Sequence, residues 1–380
     1  MNFKNNNILI SLLISLSFCV VYLFLFDFIR YNQADTINFV NATKILFGNS
    51  DVVDTQSRIT KPVVLLLPGI INYIFNIKIE TVMLWQNILL FISTGLLLGK
   101  LISIFNFNNK FQYLGIFIFY TIQPIAVHSL ELINDIAGYF FSILILYLYF
   151  LWQKQPQLSI KQYIILATTI ILGILSKESA GLAVLVIIAD SVVNFSPSKR
   201  IKNFILLFAS ASIIFAIQWF INTYYHTTSI VINVVEEFYL NNGFSIKFEQ
   251  IIHSFDTYWL FVALGIYYLI KNINTYSYSK LLLFAGAVSV PVLFLWATVQ
   301  DRTISVIAPL FVIYIIYAIK NLKLDKLYFP LVIVAGILNI SITYLIYKYN
   351  ISNLLKYYLV IFSIVFFISL VFKNKRIFNK

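Results

Sequence analysis

Apolar runs of membrane-spanning length recur along this chain from end to end, separated by short polar stretches. The first run covers residues 8–26, after Lys4, and residues 27–61 are polar. Residues 62–77 are apolar again but broken by Pro62, Pro68, Gly69, Asn72 and Asn76. A helix of about sixteen residues rises only about 24 Å, short of the roughly 30 Å hydrocarbon core. The pattern therefore predicts an interfacial helix here rather than a crossing. Further spans are expected near 81–104, 111–127, 136–153, 203–221, 256–270, 281–299, 303–320, 327–347 and 353–372. The run 163–194 is expected to hold two short spans whose tip, Ser176-Lys177-Glu178-Ser179, sits below the membrane surface. Charges at that depth cost a few kcal/mol each unless they face protein or water, so Lys177 and Glu178 are expected to face an internal cavity.

The expected architecture is an all-α polytopic membrane protein, one integral domain over residues 1–380 with about twelve transmembrane helices. Interfacial helices belong to a first outer loop, 27–80, and a second outer loop spans 222–254. Composition agrees. The chain is 60% hydrophobic and 11% charged, with mean hydropathy +0.87, whereas a soluble domain is nearer half apolar and a quarter charged. Continuous apolar runs also disfavour a closed barrel, whose strands alternate.

The net charge of +12 is read as a positive-inside bias and attraction to anionic lipid, not as a nucleic-acid footprint. With the N-terminus inside, most Lys and Arg fall in inner segments, and the basic C-terminus is inside as well. Of the 15 acidic residues, only Asp190 and Asp325 fall on the inner side. Topology does not demand that, since acids weigh little in orientation; a polar chamber on the outer side would produce it. The lone Cys19 excludes a disulfide framework and a cysteine zinc site. Phe18 before it and the lack of a small-x-small signal argue that residues 8–26 are a retained helix. No Walker loop, Gly-rich dinucleotide turn or His-Glu-x-x-His appears, so nucleotide-driven chemistry is unsupported.

The candidate chemistry lies on the outer side. Asp35 opens a helix-like stretch. It is a candidate general base, with helix capping as the plainer role. His128, Glu131 and Asp135 are spaced i, i+3, i+7, so a continuous helix would put them on one face. Imidazole and carboxylate there could take a divalent cation, the one candidate cofactor; a solvated helix entrance is the alternative. Lys177 and Glu178 could neutralise each other, or Lys177 could hold a phosphate. In Gln300-Asp301-Arg302, Arg302 is a suitable bidentate phosphate ligand, unless it merely pairs with Asp301. Arg58 and Lys61 add cations beside Pro62.

In order along the chain these features resemble the GT-C superfamily of membrane glycosyltransferases, particularly the branch with the protein O-mannosyltransferases and the aminoarabinose lipid A transferases. The resemblance rests on Asp35 through Gly48, on Lys61-Pro62, and on Asn134-Asp135-Ile136-Ala137-Gly138-Tyr139-Phe140-Phe141. It also rests on Leu175-Ser176-Lys177-Glu178-Ser179-Ala180 and on Asp301-Arg302-Thr303 through Ala308-Pro309. Each motif alone is weak; their order and shared side carry the case across most of the chain.

The resemblance implies transfer of a sugar from a polyprenyl-phosphate donor to a hydroxyl of a lipid, glycan or protein acceptor. The transfer would take place on the extracytoplasmic face of a plasma membrane, bacterial by the Asn-, Ile- and Lys-rich composition. It implies Asp35 as base and Asp135 at the sugar and acceptor site. It also implies Lys61, Lys177 and Arg302, with Arg58 beside them, at the phosphate, and Glu131, Glu178 and Asp301 lining the site. Thr36 follows Asp35 where many relatives carry a second acid, which argues against a metal at that point. The competing readings are an O-antigen-type polymerase or ligase, whose largest outer loop usually comes later, and a lipid-linked glycan flippase. A flippase predicts matched helix breaks in two repeated halves, which the sequence lacks.

Overall fold

The computed structural model describes residues 3–26, 33–48, 58–153, 158–194, 197–226, 245–246, 254–294, 298–299, 301–322, 325–349 and 361. Apart from a two-residue parallel pairing of Ser245–Ile246 with Thr298–Val299, every regular element among them is helical. The helices are α1 (Phe3–Leu25), α2 (Gln33–Leu46), α3 (Pro62–Phe75), α4 (Ile79–Ile104), α5 (Asn109–Tyr120) and α6 (Gln123–His128). They continue as α7 (Asp135–Gln153), α8 (Ile160–Ser176), α9 (Gly181–Asn194), α10 (Pro197–Tyr225) and α11 (Trp259–Lys271). The series ends with α12 (Ser279–Phe294), α13 (Asp301–Ile304), α14 (Ala308–Asn321) and α15 (Asp325–Tyr349).

Among the described residues, four segments are long and apolar enough to cross a membrane: Asn7–Leu25, Ile79–Ile104, Asp135–Gln153 and Arg200–Tyr225. Shorter apolar helices stand between and after them. The protein is thus a helical membrane protein. The expected last span, 353–372, and most of the second outer loop lie outside the described residues, as do Arg30, Asp51 and Asp54.

One expectation changes in detail. The span expected over 111–127 is two helices. α5 stops at Tyr120, Ile122 is extended, and α6 restarts with Pro124 in its first turn. Proline has no N–H to give and is best placed in the first turn of a helix. Residues 62–77 do form one short helix, α3. It opens on Pro62 and stops at Asn76, whose φ of 53° is left-handed; its 14 residues rise about 21 Å. The 163–194 run is two short helices, α8 and α9, joined by a single-turn 3₁₀ segment, Glu178–Ala180.

α4 packs along α7, and α11 along α14. Tyr22, Phe91, Tyr120, Tyr149, Tyr258 and Tyr314 are buried in the main core. A second apolar cluster lies around α2 and α3. Phe39, Val40 and Ala42 of α2 meet Ile59, Val64 and Leu65, and these rest on Met83 of α4 and on Leu132, Ile133 and Ala137. Burial of side chains this size stabilises by about 1.5–3 kcal/mol each. It fixes α2 and α3 over the ends of α4 and α7, which decides where Asp35 points.

Candidate active site

Asp35 lies in the first turn of α2, one turn before the buried Phe39. Residues i and i+4 share a helix face, so seating Phe39 in the core turns Asp35 inward. Its Oδ1 accepts a hydrogen bond from Arg58 Nη2 at 2.8 Å, and its Oδ2 accepts one from Arg302 Nη1 at 3.3 Å. The Arg58 guanidinium also lies over the Phe39 ring, 5.2 Å from its centre.

Asp135 begins α7. Asn134, just before it, donates to the backbone carbonyl of Ser176, tying the start of α7 to the end of α8. Lys177 follows in an extended conformation (φ −161°, ψ 132°). It reaches across to Asp135, Nζ to Oδ1 at 2.7 Å. Gly138 makes room for this turn: a Cβ there would run into Ser179 and lie 3.0 Å from Lys177 Cγ. Arg302, on α13, donates to Asp135 from Nε and from Nη2, the latter at 3.1 Å. One guanidinium therefore bridges Asp135 and Asp35, carboxylates 167 and 267 positions before it in the sequence.

Lys61 is 3% exposed and pairs with Glu178 Oε2 at 3.0 Å. Adjacent residues thus take different partners: Lys177 faces Asp135, and Glu178 faces Lys61. The pairing of Lys177 with Glu178 considered from sequence does not form, because the backbone turns from extended to 3₁₀ between them.

Electrostatics follow from burial and partners. Burial raises the Asp35 pKa, but Arg58 and then Arg302 outweigh it and hold the carboxyl below its ordinary value. Burial raises Glu178 too, and Lys61 more than cancels it. Burial dominates at Lys61, bringing it down to about 7 despite Glu178. Arg302 is held charged by Asp135 and Asp35 against its own burial.

His128, Glu131 and Asp135 do not share a helix face. α6 ends at His128, α7 begins at Asp135, and bends fill the gap. His128 Nδ1 lies 2.7 Å from Glu131 Oε2. Burial lowers the His128 pKa, but its bond to Glu131 outweighs that and raises it overall. Glu131 is fully buried, while Asp135 turns to Arg302 and Lys177. Among the described residues no group of three or more His, Cys, Asp or Glu stands close enough to hold a metal. A divalent cation at Asp135 would sit against two protein cations, so this donor set does not fit one. The backbone of Asp301 opens α13, but its side chain lies outside the described residues.

The fold therefore joins Arg58, Asp35, Arg302, Asp135 and Lys177 into one connected ion-pair chain. Lys61 and Glu178 lie beside it, within electrostatic reach of Lys177. Tyr139 and Ser305, bonded to each other next to this chain, were not singled out from sequence. Hydroxyls carry no sequence signal that separates them from ordinary core residues.

No family model matches the sequence, and no curated protein does. Two solved structures share the fold. The apo crystal structure of the Archaeoglobus fulgidus oligosaccharyltransferase aligns with a TM-score of 0.60 at 13% identity, over 93% of this chain and 56% of that one. The same enzyme tethered through a disulfide bond to an acceptor peptide containing the NVT sequon aligns at 0.54 and 13% identity, over 92% and 55%. The fold is thus shared along nearly all of this chain, which spans just over half the length of that enzyme.

Proposed function

We propose that this protein is a GT-C membrane glycosyltransferase. It moves a sugar from a polyprenyl-phosphate donor to an acceptor hydroxyl at the outer membrane surface. The observation that carries the reading is Arg302 bridging Asp35 and Asp135, with Arg58, Lys61 and Lys177 around them. Two carboxylates held among four cations fit a reaction that needs a base at one atom and a sink for phosphate charge at another.

In this mechanism the acceptor hydroxyl attacks the anomeric carbon. Its proton passes to Asp35, the bond from carbon to phosphate oxygen breaks, and polyprenyl phosphate leaves. Arg302, Lys177, Lys61 and Arg58 hold the leaving phosphate. Asp135 orients Arg302 and Lys177 and lines the sugar site with Glu131, Glu178 and Asp301. Asp35 is a weak base while two arginines grip it. A phosphate that draws Arg302 towards itself raises the basicity of Asp35 as the donor settles. Around this site we place about twelve crossings, both termini on the cytoplasmic side, and a bacterial plasma membrane. The acceptor is a lipid, glycan or protein of the cell envelope.

The test is transfer by the purified protein in lipid nanodiscs. Labelled polyprenyl-phosphate sugars are offered with mixed envelope acceptors, and release of polyprenyl phosphate is measured for wild type and Arg302→Gln. Release that depends on acceptor and falls at least a hundredfold in Arg302→Gln supports the proposal. Equal release from both proteins contradicts it.

A further inference from the structure

α7 holds Arg302 at both ends. Its first residue, Asp135, takes the guanidinium. One turn further on the same face, the Tyr139 hydroxyl lies 2.5 Å from Ser305 Oγ, and Ser305 Oγ donates to the Arg302 backbone carbonyl at 2.8 Å. Ser305 has one hydroxyl proton, and the carbonyl can only accept it. The proton between Ser305 and Tyr139 must then come from Tyr139. The donor order is fixed: Tyr139 to Ser305 to the Arg302 carbonyl.

Both hydroxyls are buried, Tyr139 at 6% exposure and Ser305 at 0%. The Tyr139 ring stands edge-on to Phe119, centres 5.6 Å apart, so packing sets the aim of its hydroxyl. α13, which carries Arg302, has only 4 residues and forms too few internal hydrogen bonds to hold its own position.

We infer that Tyr139 and Ser305 are positioning residues for Arg302, fixing its backbone so that one guanidinium spans both Asp35 and Asp135. The inference rests on the proposed function for its catalytic consequence, but not for its geometric one. A long arginine side chain reaches two carboxylates at once only from a narrow range of backbone positions. Loosening the carbonyl lets Arg302 keep Asp135, with its two hydrogen bonds, and lose Asp35, with its single longer one.

Two readouts separate the inference from the function. The first needs no activity. Phenylglyoxal labelling of Arg302, followed by mass spectrometry of the full-length protein in nanodiscs, reports how firmly the guanidinium is held. Tyr139→Phe and Ser305→Ala are expected to speed labelling about three- to tenfold, the fold-change matching one neutral hydrogen bond; Ser305→Thr, which keeps a hydroxyl, is expected to label like wild type. The second is transfer. Tyr139→Phe is expected to lower kcat/KM for the donor by a similar factor, and to have no further effect in an Arg302→Lys background. If Arg302 labelling is unchanged in both Tyr139→Phe and Ser305→Ala, the positioning role is refuted, whatever the activity. If labelling changes but transfer losses in the Arg302→Lys background simply add, the two residues act through general stability and the inference is also wrong. If labelling changes as expected while wild type transfers no sugar, the positioning stands and the functional proposal falls.

Discussion

Replacing Asp135 by Asn keeps the size of the side chain and removes its charge. Asp135 is 7% exposed at its side chain and holds Lys177 at 2.7 Å and Arg302 through two donors. At an effective dielectric near 20, one ion pair at that distance attracts by about 6 kcal/mol before desolvation is counted. Desolvation already incurred by the cations is not recovered when the partner goes. Removing one member of a buried pair therefore typically destabilises by about 3–5 kcal/mol. Asn also presents an NH₂ to groups that only donate. The expected loss is about 3–5 kcal/mol in equilibrium unfolding, measured in mixed micelles. The cause predicts a suppressor. If stranded positive charge is the problem, Asp135→Asn with Lys177→Met recovers part of the loss. A cost under about 1 kcal/mol, the range of exposed pairs, or no recovery in the double variant, would refute the closed, buried network.

Two further predictions concern the same region. Gly138→Ala places a methyl where Ser179 and Lys177 now lie; it is expected to destabilise by about 1–3 kcal/mol and to lower transfer by pushing Lys177 off Asp135, while Ser179→Gly in the same chain, which removes the closer contact, restores part of the stability. Burial brings Lys61 down to about 7, so its positive charge is present below that pH and lost above it. Donor affinity is expected to fall as pH rises through about 7, and Lys61→Arg, which stays charged, should move that limb upward; an unmoved limb would take Lys61 off the phosphate.

The alternation of apolar runs and polar loops made the helical membrane class legible, because the cost of unpaired backbone in lipid leaves few alternatives. The short α3 was readable as well: Pro62 and Asn76 bracket the apolar run, and the helix runs from Pro62 to Phe75. The break between α5 and α6 was signalled only by Pro124, which a hydropathy window averages away. Asp35, Asp135, Lys177 and Arg302 stood out singly as charges in apolar surroundings. Their partners were not legible. Neighbours in sequence suggested Lys177 with Glu178. The fold instead carries Lys177 to Asp135, Glu178 to Lys61, and Arg302 to residues on α2 and α7. Such pairings depend on where helices pack, and one turn of backbone at Lys177 is enough to redirect them. The expected shared face of His128, Glu131 and Asp135 failed for a local reason: spacing predicts a face only if the helix is continuous, and it is not.

The central claim is that Asp35 receives the acceptor proton beside a phosphate-holding cation cluster. The most direct measurement is sugar transfer by Asp35→Asn in purified membranes, with a panel of labelled polyprenyl-phosphate sugars and with protein level and melting temperature checked alongside. The account predicts loss of transfer by on the order of a hundredfold or more with normal protein level, while Asp35→Glu retains part of it. Wild-type transfer rates in Asp35→Asn would contradict the claim and leave Asp35 as a structural partner of Arg58 and Arg302.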